Sequence, residues 1–313
     1  MNNFIQTNRI LARTRNLRAV FATCLTTAVA VCLSGCNSVF YQPDKLTWSL
    51  PEQITPSFEE FQLPVPGTNE KLQVWKFHSR VPRKGTVVHF HGNAQNMSAH
   101  VWFVAWLIDA GFDVVTFDYR GYGNSDGIAT RENTIADGQA VLKWLATQAQ
   151  STPLFVVGQS LGGAVAFTSL ATSEPEVPVR GLIIESSFTS YRGLARKKLG
   201  SFFLTWPLQW PLSFLVTDEF SPKEHKLKNP LPIFFIHGTG DWVVPYREGV
   251  KFAELAAKQQ NSVSLYSVVG RGHTSCFARL ENTPCKSAML QFMNGLIPSA
   301  QQQDPQLPAE RKK

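Results

Sequence analysis

No long-period repeat runs through the 313 residues, and no Pro/Ser/Gly-rich linker divides their middle. The first absence excludes stacked-repeat architectures, and the second favours one sizeable domain over two. An excess of charge of one sign is also lacking. Thirty Lys and Arg face 23 Asp and Glu, and four of the basic residues (Arg9, Arg13, Arg15, Arg18) fall within the first 18 positions. Without those four, 26 face 23, an excess of +3. That gives no reason to expect a nucleic-acid partner. Acidic residues are absent from the first 35 positions, and the charge-free apolar run there, Ala19 to Leu33, is too short to span a bilayer comfortably. Cysteine is sparse: beyond Cys24, Cys32 and Cys36 only Cys276 and Cys285 remain. What is present, 43% hydrophobic and 17% charged residues, is an ordinary globular balance with material for a large core.

Residues 1–35 read as a leader outside the fold, with a basic start, an apolar centre and small residues at the end. The run Leu33-Ser34-Gly35-Cys36 resembles the lipobox of bacterial lipoproteins, in which the cysteine becomes the lipidated first residue. A plain signal peptide cut nearby, or a signal anchor, is the competing reading. Acyl chains on Cys36 would hold the protein on a membrane, since each buried methylene contributes roughly 0.8 kcal/mol. Asn37, where an aspartate would favour inner-membrane retention, implies by the same resemblance an outer-membrane location facing the periplasm. An exported chain lives where disulfides persist. Cys276 and Cys285 are therefore expected either to bridge, stapling the loop after His273, or to stand as two buried thiols.

Residues 36–66 are punctuated by proline and read as an extended tether. Apolar runs bounded by turn residues then predict strands at Leu72–His78, Thr86–His91, Asp113–Phe117, Leu154–Val157, Val179–Ile184, Leu231–Ile236 and Val263–Val268. Helices are predicted over Val101–Leu107, Arg131–Gln150, Gly163–Ala171, Arg247–Gln259 and Lys286–Met293. Continuous apolar strands alternating with helices indicate an α/β domain, residues 67–296, with a mostly parallel sheet covered on both faces. The tail 297–313 reads as disordered. One stretch breaks the rhythm. Residues 191–220 carry Phe202, Phe203, Trp206, Trp210 and Phe214, interrupted by Pro207 and Pro211. Proline forbids a long helix, so a small cap of short helices is expected there. It is either a satellite hydrophobic cluster or, as the density of rings favours, a lid lining an acyl pocket and turned toward lipid. Arg196-Lys197-Lys198 beside it reads as a solvated basic face, with contact to lipid headgroups as the alternative.

The chemistry centres on Gly158-Gln159-Ser160-Leu161-Gly162, placed directly between a predicted buried strand and a helix. Such a corner strains the serine backbone and demands tiny residues two before and two after it, which glycine supplies. Serine needs a base and a group to orient that base. Among seven histidines, His273 lies in a glycine-flanked loop after the last predicted strand, on the edge where the corner emerges. Asp241 follows the strand Leu231–Ile236, and the chain order Ser160, Asp241, His273 fits a strand-edge triad. Glu185, at the end of the preceding strand, is the rival acid. Backbone donors for an oxyanion are expected from Leu161, one past the nucleophile, and from Asn93, in the loop after an early strand.

These segments resemble the α/β-hydrolase fold, in the branch of serine hydrolases that includes monoacylglycerol lipases, serine aminopeptidase-like proteins and depalmitoylase-like hydrolases. The matching runs are His91-Gly92-Asn93-Ala94, Asp118 to Ser125, Gly158 to Gly163, His237 to Pro245 and Gly272-His273. Relatives often carry glycine where Gln95 stands. The resemblance implies acyl transfer through an acyl-enzyme, with Ser160 as nucleophile, His273 as base and Asp241 as its orienter, and with no metal or organic cofactor. The expected substrate is an acyl ester or lipid. An amidase or peptidase with the same triad, and a non-catalytic envelope binding protein on the same fold, are the alternatives.

Overall fold

The computed structural model describes residues 40–148, 152–201, 203–278 and 283–298. The leader, Cys36, Phe202 and the tail from 299 lie outside the described residues. In chain order the strands are β1 (Gln42–Pro43), β2 (Phe58–Pro64), β3 (Lys71–Phe77), β4 (Gly85–Phe90), β5 (Ala94–Gln95), β6 (Phe112–Phe117), β7 (Leu154–Gln159), β8 (Gly181–Glu185), β9 (Pro232–Gly238) and β10 (Ser262–Val268). Eight of them form one sheet in the order β10-β9-β8-β7-β4-β6-β3-β2, while β1 and β5 make a small parallel pair. Only β3 runs against its neighbours in the large sheet. The fold is an α/β-hydrolase fold.

The central strands are apolar at successive positions because both faces are covered. Val88, Val115 and Val156 enter one core with the helices Arg131–Gln148, Leu161–Thr172 and Tyr246–Lys258. Val87, Val114, Phe155 and Val157 point the other way, into a second core with the helix Pro284–Gly295. Side chains alternate along a strand, so a run buried throughout requires a layer on each side. Parallel strands also bring their carboxyl ends to one edge. Gln159, Glu185, Gly238 and Val268 therefore all finish at the same rim.

Three expectations need correction. The proposed tether 36–66 is, from residue 40 on, part of the domain. Phe40 and Tyr41 are buried, the Phe40 ring meets Tyr191 edge-on at 5.1 Å, and Tyr41 Oη lies 3.2 Å from Tyr191 Oη. β2 pairs with β3 along its whole length. Its sequence looked unstructured because an edge strand buries little of its surface, and its partner lies beyond a turn. Second, the predicted helix Val101–Leu107 is broken into short pieces, Met97–His100, Val101–Phe103 and Trp106–Asp109. Third, the tail does not begin at 297: Ile297 is buried in the second core, so the domain includes it.

Candidate active site

Ser160 stands between β7 and the helix Leu161–Thr172 with φ 54°. A non-glycine residue held there carries roughly 1–3 kcal/mol of strain, which its surroundings must offset. The flanking glycines have a steric cause. A Cβ on Gly162 would lie 2.0 Å from Phe90 O, and one on Gly158 would lie 2.6 Å from Gly163 Cα. The chain thus turns so tightly that no side chain larger than hydrogen fits at either position.

Ser160 Oγ lies 3.0 Å from His273 Nε2, and His273 Nδ1 lies 2.7 Å from Asp241 Oδ2. Three strand ends far apart in sequence therefore form one hydrogen-bonded chain. Asp241 Oδ1 accepts from Val243 N and Val244 N, each at 2.9 Å. Burial alone would raise the Asp241 carboxyl, but hydrogen bonds from His237 and His273 and the backbone donors outweigh it. The carboxyl is held well below its usual range, charged and aimed at the imidazole.

The loop after β4 crosses the nucleophile. A Cβ on Gly92 would lie 3.8 Å from Ser160 Cβ. The carbonyl of Asn93 accepts from Gln42 N at 2.9 Å and from Tyr122 Oη at 2.7 Å, which orients the peptides of this loop. Gln95 adopts φ 62°, a conformation glycine takes without strain. Leu161 opens its helix, where the first backbone N–H groups have no intrahelical acceptor.

Sequence reasoning weighed Glu185 only as a rival to Asp241. The structure gives it a different place, behind the rim. Its Oε2 accepts from Gln159 Nε2 at 2.7 Å, and its Oε1 accepts from Cys276 N at 2.9 Å. Its backbone carbonyl accepts from Ser160 N at 2.8 Å. One buried residue thus joins the nucleophile corner to the loop carrying His273. Burial pushes the Glu185 carboxyl up to about 7 against the pull of those donors. Gln159 Oε1 lies 2.9 Å from His89 Nε2, and burial holds that imidazole down to about 3, hence neutral. A second overlooked group is His237. Its Nε2 lies 2.8 Å from Val244 O and 3.3 Å from Asp241 Oδ2, the same oxygen that His273 Nδ1 meets. The readable signal for Glu185 was a carboxylate ending an otherwise apolar strand.

Cys276 and Cys285 are joined in a disulfide with Cα atoms 5.9 Å apart, which closes the loop after His273. Thr274 and Ser186, which contact each other through Thr274 N and Ser186 Oγ at 3.2 Å, have φ 47° and 53°. Strained backbone is concentrated at this rim.

The cap differs from its expectation. The helix Tyr191–Ser201 is followed by short helical turns at Trp206–Leu208 and Gln209–Ser213. Their large side chains do not line an enclosed pocket: Trp206, Trp210 and Phe214 are exposed. Arg196, expected as part of a solvated face, stacks 3.8 Å over the Trp210 ring.

The family model for serine aminopeptidases, S33, matches residues 81–214, and that for phospholipases and carboxylesterases matches residues 213–284. The YfhR protein of Escherichia coli K12, itself uncharacterized, is 30% identical over 212 residues, 66% of this chain and 69% of its own. The chain belongs to the α/β-hydrolase family of serine hydrolases. Its likeness is to enzymes of the esterase and lipase kind. The mouse lysophosphatidylserine lipase ABHD12 is 30% identical over 200 residues, 61% of this chain and 50% of that protein. The Pyrococcus furiosus esterase Pf2001 shares the fold, with a TM-score of 0.65 at 22% identity, covering 82% of this chain and all of that one.

Proposed function

We propose that this hydrolase cleaves carboxylic esters of acyl chains through a Ser-His-Asp triad. The observation that carries the reading is the continuous link from Ser160 Oγ through His273 to Asp241 Oδ2, at 3.0 Å and 2.7 Å. In this scheme Ser160 Oγ attacks the acyl carbonyl while His273 Nε2 takes its proton. Asp241 keeps Nδ1 protonated and stabilises the imidazolium. The amides of Leu161 and Asn93 hold the tetrahedral oxyanion, each such donor stabilising it by about 3 kcal/mol. His273 then protonates the leaving alcohol, and water repeats the sequence on the acyl-enzyme. A fluorophosphonate probe tests it: the parent is labelled and Ser160→Ala is not. Labelling that survives the substitution places the nucleophile elsewhere.

The match to the serine aminopeptidase model gives an amide reading a specific footing. Nitrophenyl esters of graded chain length, run beside aminoacyl anilides, separate the two. Turnover of esters alone supports the ester reading; turnover of anilides supports the peptidase.

The reading extends to the cell envelope. We propose that Cys36 is acylated and holds the enzyme on the outer membrane facing the periplasm, supported by the basic, apolar and small-residue zones before it. Radiolabelled palmitate then marks the parent and not Cys36→Ala, whereas label that survives the substitution places the acyl chain elsewhere.

A further inference from the structure

Large apolar side chains are normally covered, and a contiguous exposed set marks a surface that meets something. Here Leu204, Trp206, Leu208, Trp210, Phe214 and Trp242 are exposed, from 52% at Leu208 to 80% at Trp242. Five of them fall within eleven residues of the cap. Pro207 and Pro211 keep the helical turns there to three and five residues, so the rings splay outward instead of closing into a core. The sixth, Trp242, follows Asp241 and is tied to the cap, because Lys198 Nζ donates to its carbonyl at 3.3 Å and lies 5.6 Å over its ring.

Charge decides what such a surface fits. The helix Tyr191–Ser201 carries Arg192, Arg196, Lys197 and Lys198, and no acidic residue occurs from 186 to 217. In the fold Lys197 pairs with Glu248 and Arg192 lies 3.9 Å from Asp218, so Arg196 and Lys198, each over an exposed indole, carry the positive charge of this face. Arg196 stacks over Trp210, and Arg192 lies 5.6 Å over the Phe214 ring, so cations and rings form one surface. A second copy seated here would bring like charges together. Indole and phenyl rings interleaved with Arg and Lys match instead the boundary of an anionic bilayer, where rings enter the headgroup level and cations meet phosphates. We infer that the face formed by residues 204–214 and Trp242 docks on an anionic phospholipid surface, seating the Asp241 side of the rim against the bilayer. Among the described residues no helix is long and apolar enough to cross a membrane, so this contact lies in the interface plane. The docking is independent of the leader; the acyl-ester reading enters only in the consequence that substrate arrives from the lipid side.

Amide hydrogen exchange on the purified full chain tests this, with vesicles of phosphatidylcholine alone or mixed with phosphatidylglycerol. The expected result is slowed exchange confined to residues 204–214 and the Trp242 loop, stronger on the anionic vesicles. Unchanged exchange, or equal slowing on neutral vesicles, overturns the inference. Slowing without vesicles that grows with protein concentration also overturns it, in favour of self-association. A second arm uses Trp206→Ser/Trp210→Ser/Phe214→Ser. On a Cys36→Ala background, which removes the acyl anchor, vesicle partitioning is expected to fall at least about tenfold, with turnover of a short soluble ester unchanged. A parent that hydrolyses no ester yet shows the localised slowing sinks the proposed activity and leaves the docking face standing.

Discussion

The rim and the cap meet at Trp242, yet they are built on opposite terms. At the rim, the two carboxylates Asp241 and Glu185 are buried and hydrogen-bonded on both oxygens. Asp241 has two histidines and two backbone donors, and Glu185 takes donors from both Gln159 and Cys276. Non-glycine residues at positive φ are held there because neighbours over-determine them. In the cap, large apolar side chains stand in water and the helices are short. Acyl-transfer geometry tolerates errors of only fractions of an ångström, so it needs a rigid, dense polar network. A surface meant for a fluid boundary needs exposed apolar area instead, with no fixed partner geometry.

Substitutions sharpen or break that contrast. The largest effect is expected at the nucleophile, where Ser160→Ala should cost roughly ten-thousand-fold or more in turnover with the fold intact. Near-parental turnover would remove the rim from the chemistry. Next comes Asp241→Asn, with a loss of roughly 10^3- to 10^4-fold in kcat measured on a soluble ester. Because its carboxyl is held well below the usual range, acid inactivation should not follow its protonation. Activity should instead climb with pH over roughly 5 to 8, where histidines titrate, and a flat profile there would contradict an imidazole base.

Glu185 reads out as stability. Glu185→Ala leaves Gln159 and Cys276 N without their acceptor and should cost about 3 kcal/mol in denaturant unfolding. The sign of its pH dependence follows from the upward shift. A carboxyl raised from 4.5 to about 7 contributes stability that is full below 4.5 and lost as pH rises through 7. Glu185→Gln should therefore flatten the stability profile across that window; an unchanged slope would mean that another group titrates there. Removing the bridge by Cys285→Ala should cost about 2–3 kcal/mol, given a closed loop of this length. The smallest effect belongs to the cap, where Trp206→Ser should shift thermal unfolding by no more than about 0.5 kcal/mol. A loss several times larger would mean that this ring is packed, and the contrast with the rim would fail.

The Gly158 to Gly162 corner, the apolar strands and the order Ser160, Asp241, His273 are local patterns, and each was readable. Steric demands on a tight turn, and burial on two faces of a strand, write themselves into a few consecutive residues. The role of Glu185 was not readable, since its partners come from β7 and from a loop 91 residues later. Residues 40–66 were misread because an edge strand pays little heed to hydrophobic alternation and its prolines suggested a tether. The cap was only half legible: aromatic richness signalled a special surface, but whether rings face inward or outward depends on what lies beneath them.

Composition and local pattern alone thus determined a single α/β domain, a strained serine at a strand end and the residues able to serve it. Only the folded chain decided that Glu185 ties two strand ends together, that Phe40 and Tyr41 are core, and that the cap presents its rings to the outside. Turns and amphipathic runs are set by neighbours in sequence, whereas burial and hydrogen-bond partnership across a parallel sheet are set by chain segments that meet only after folding.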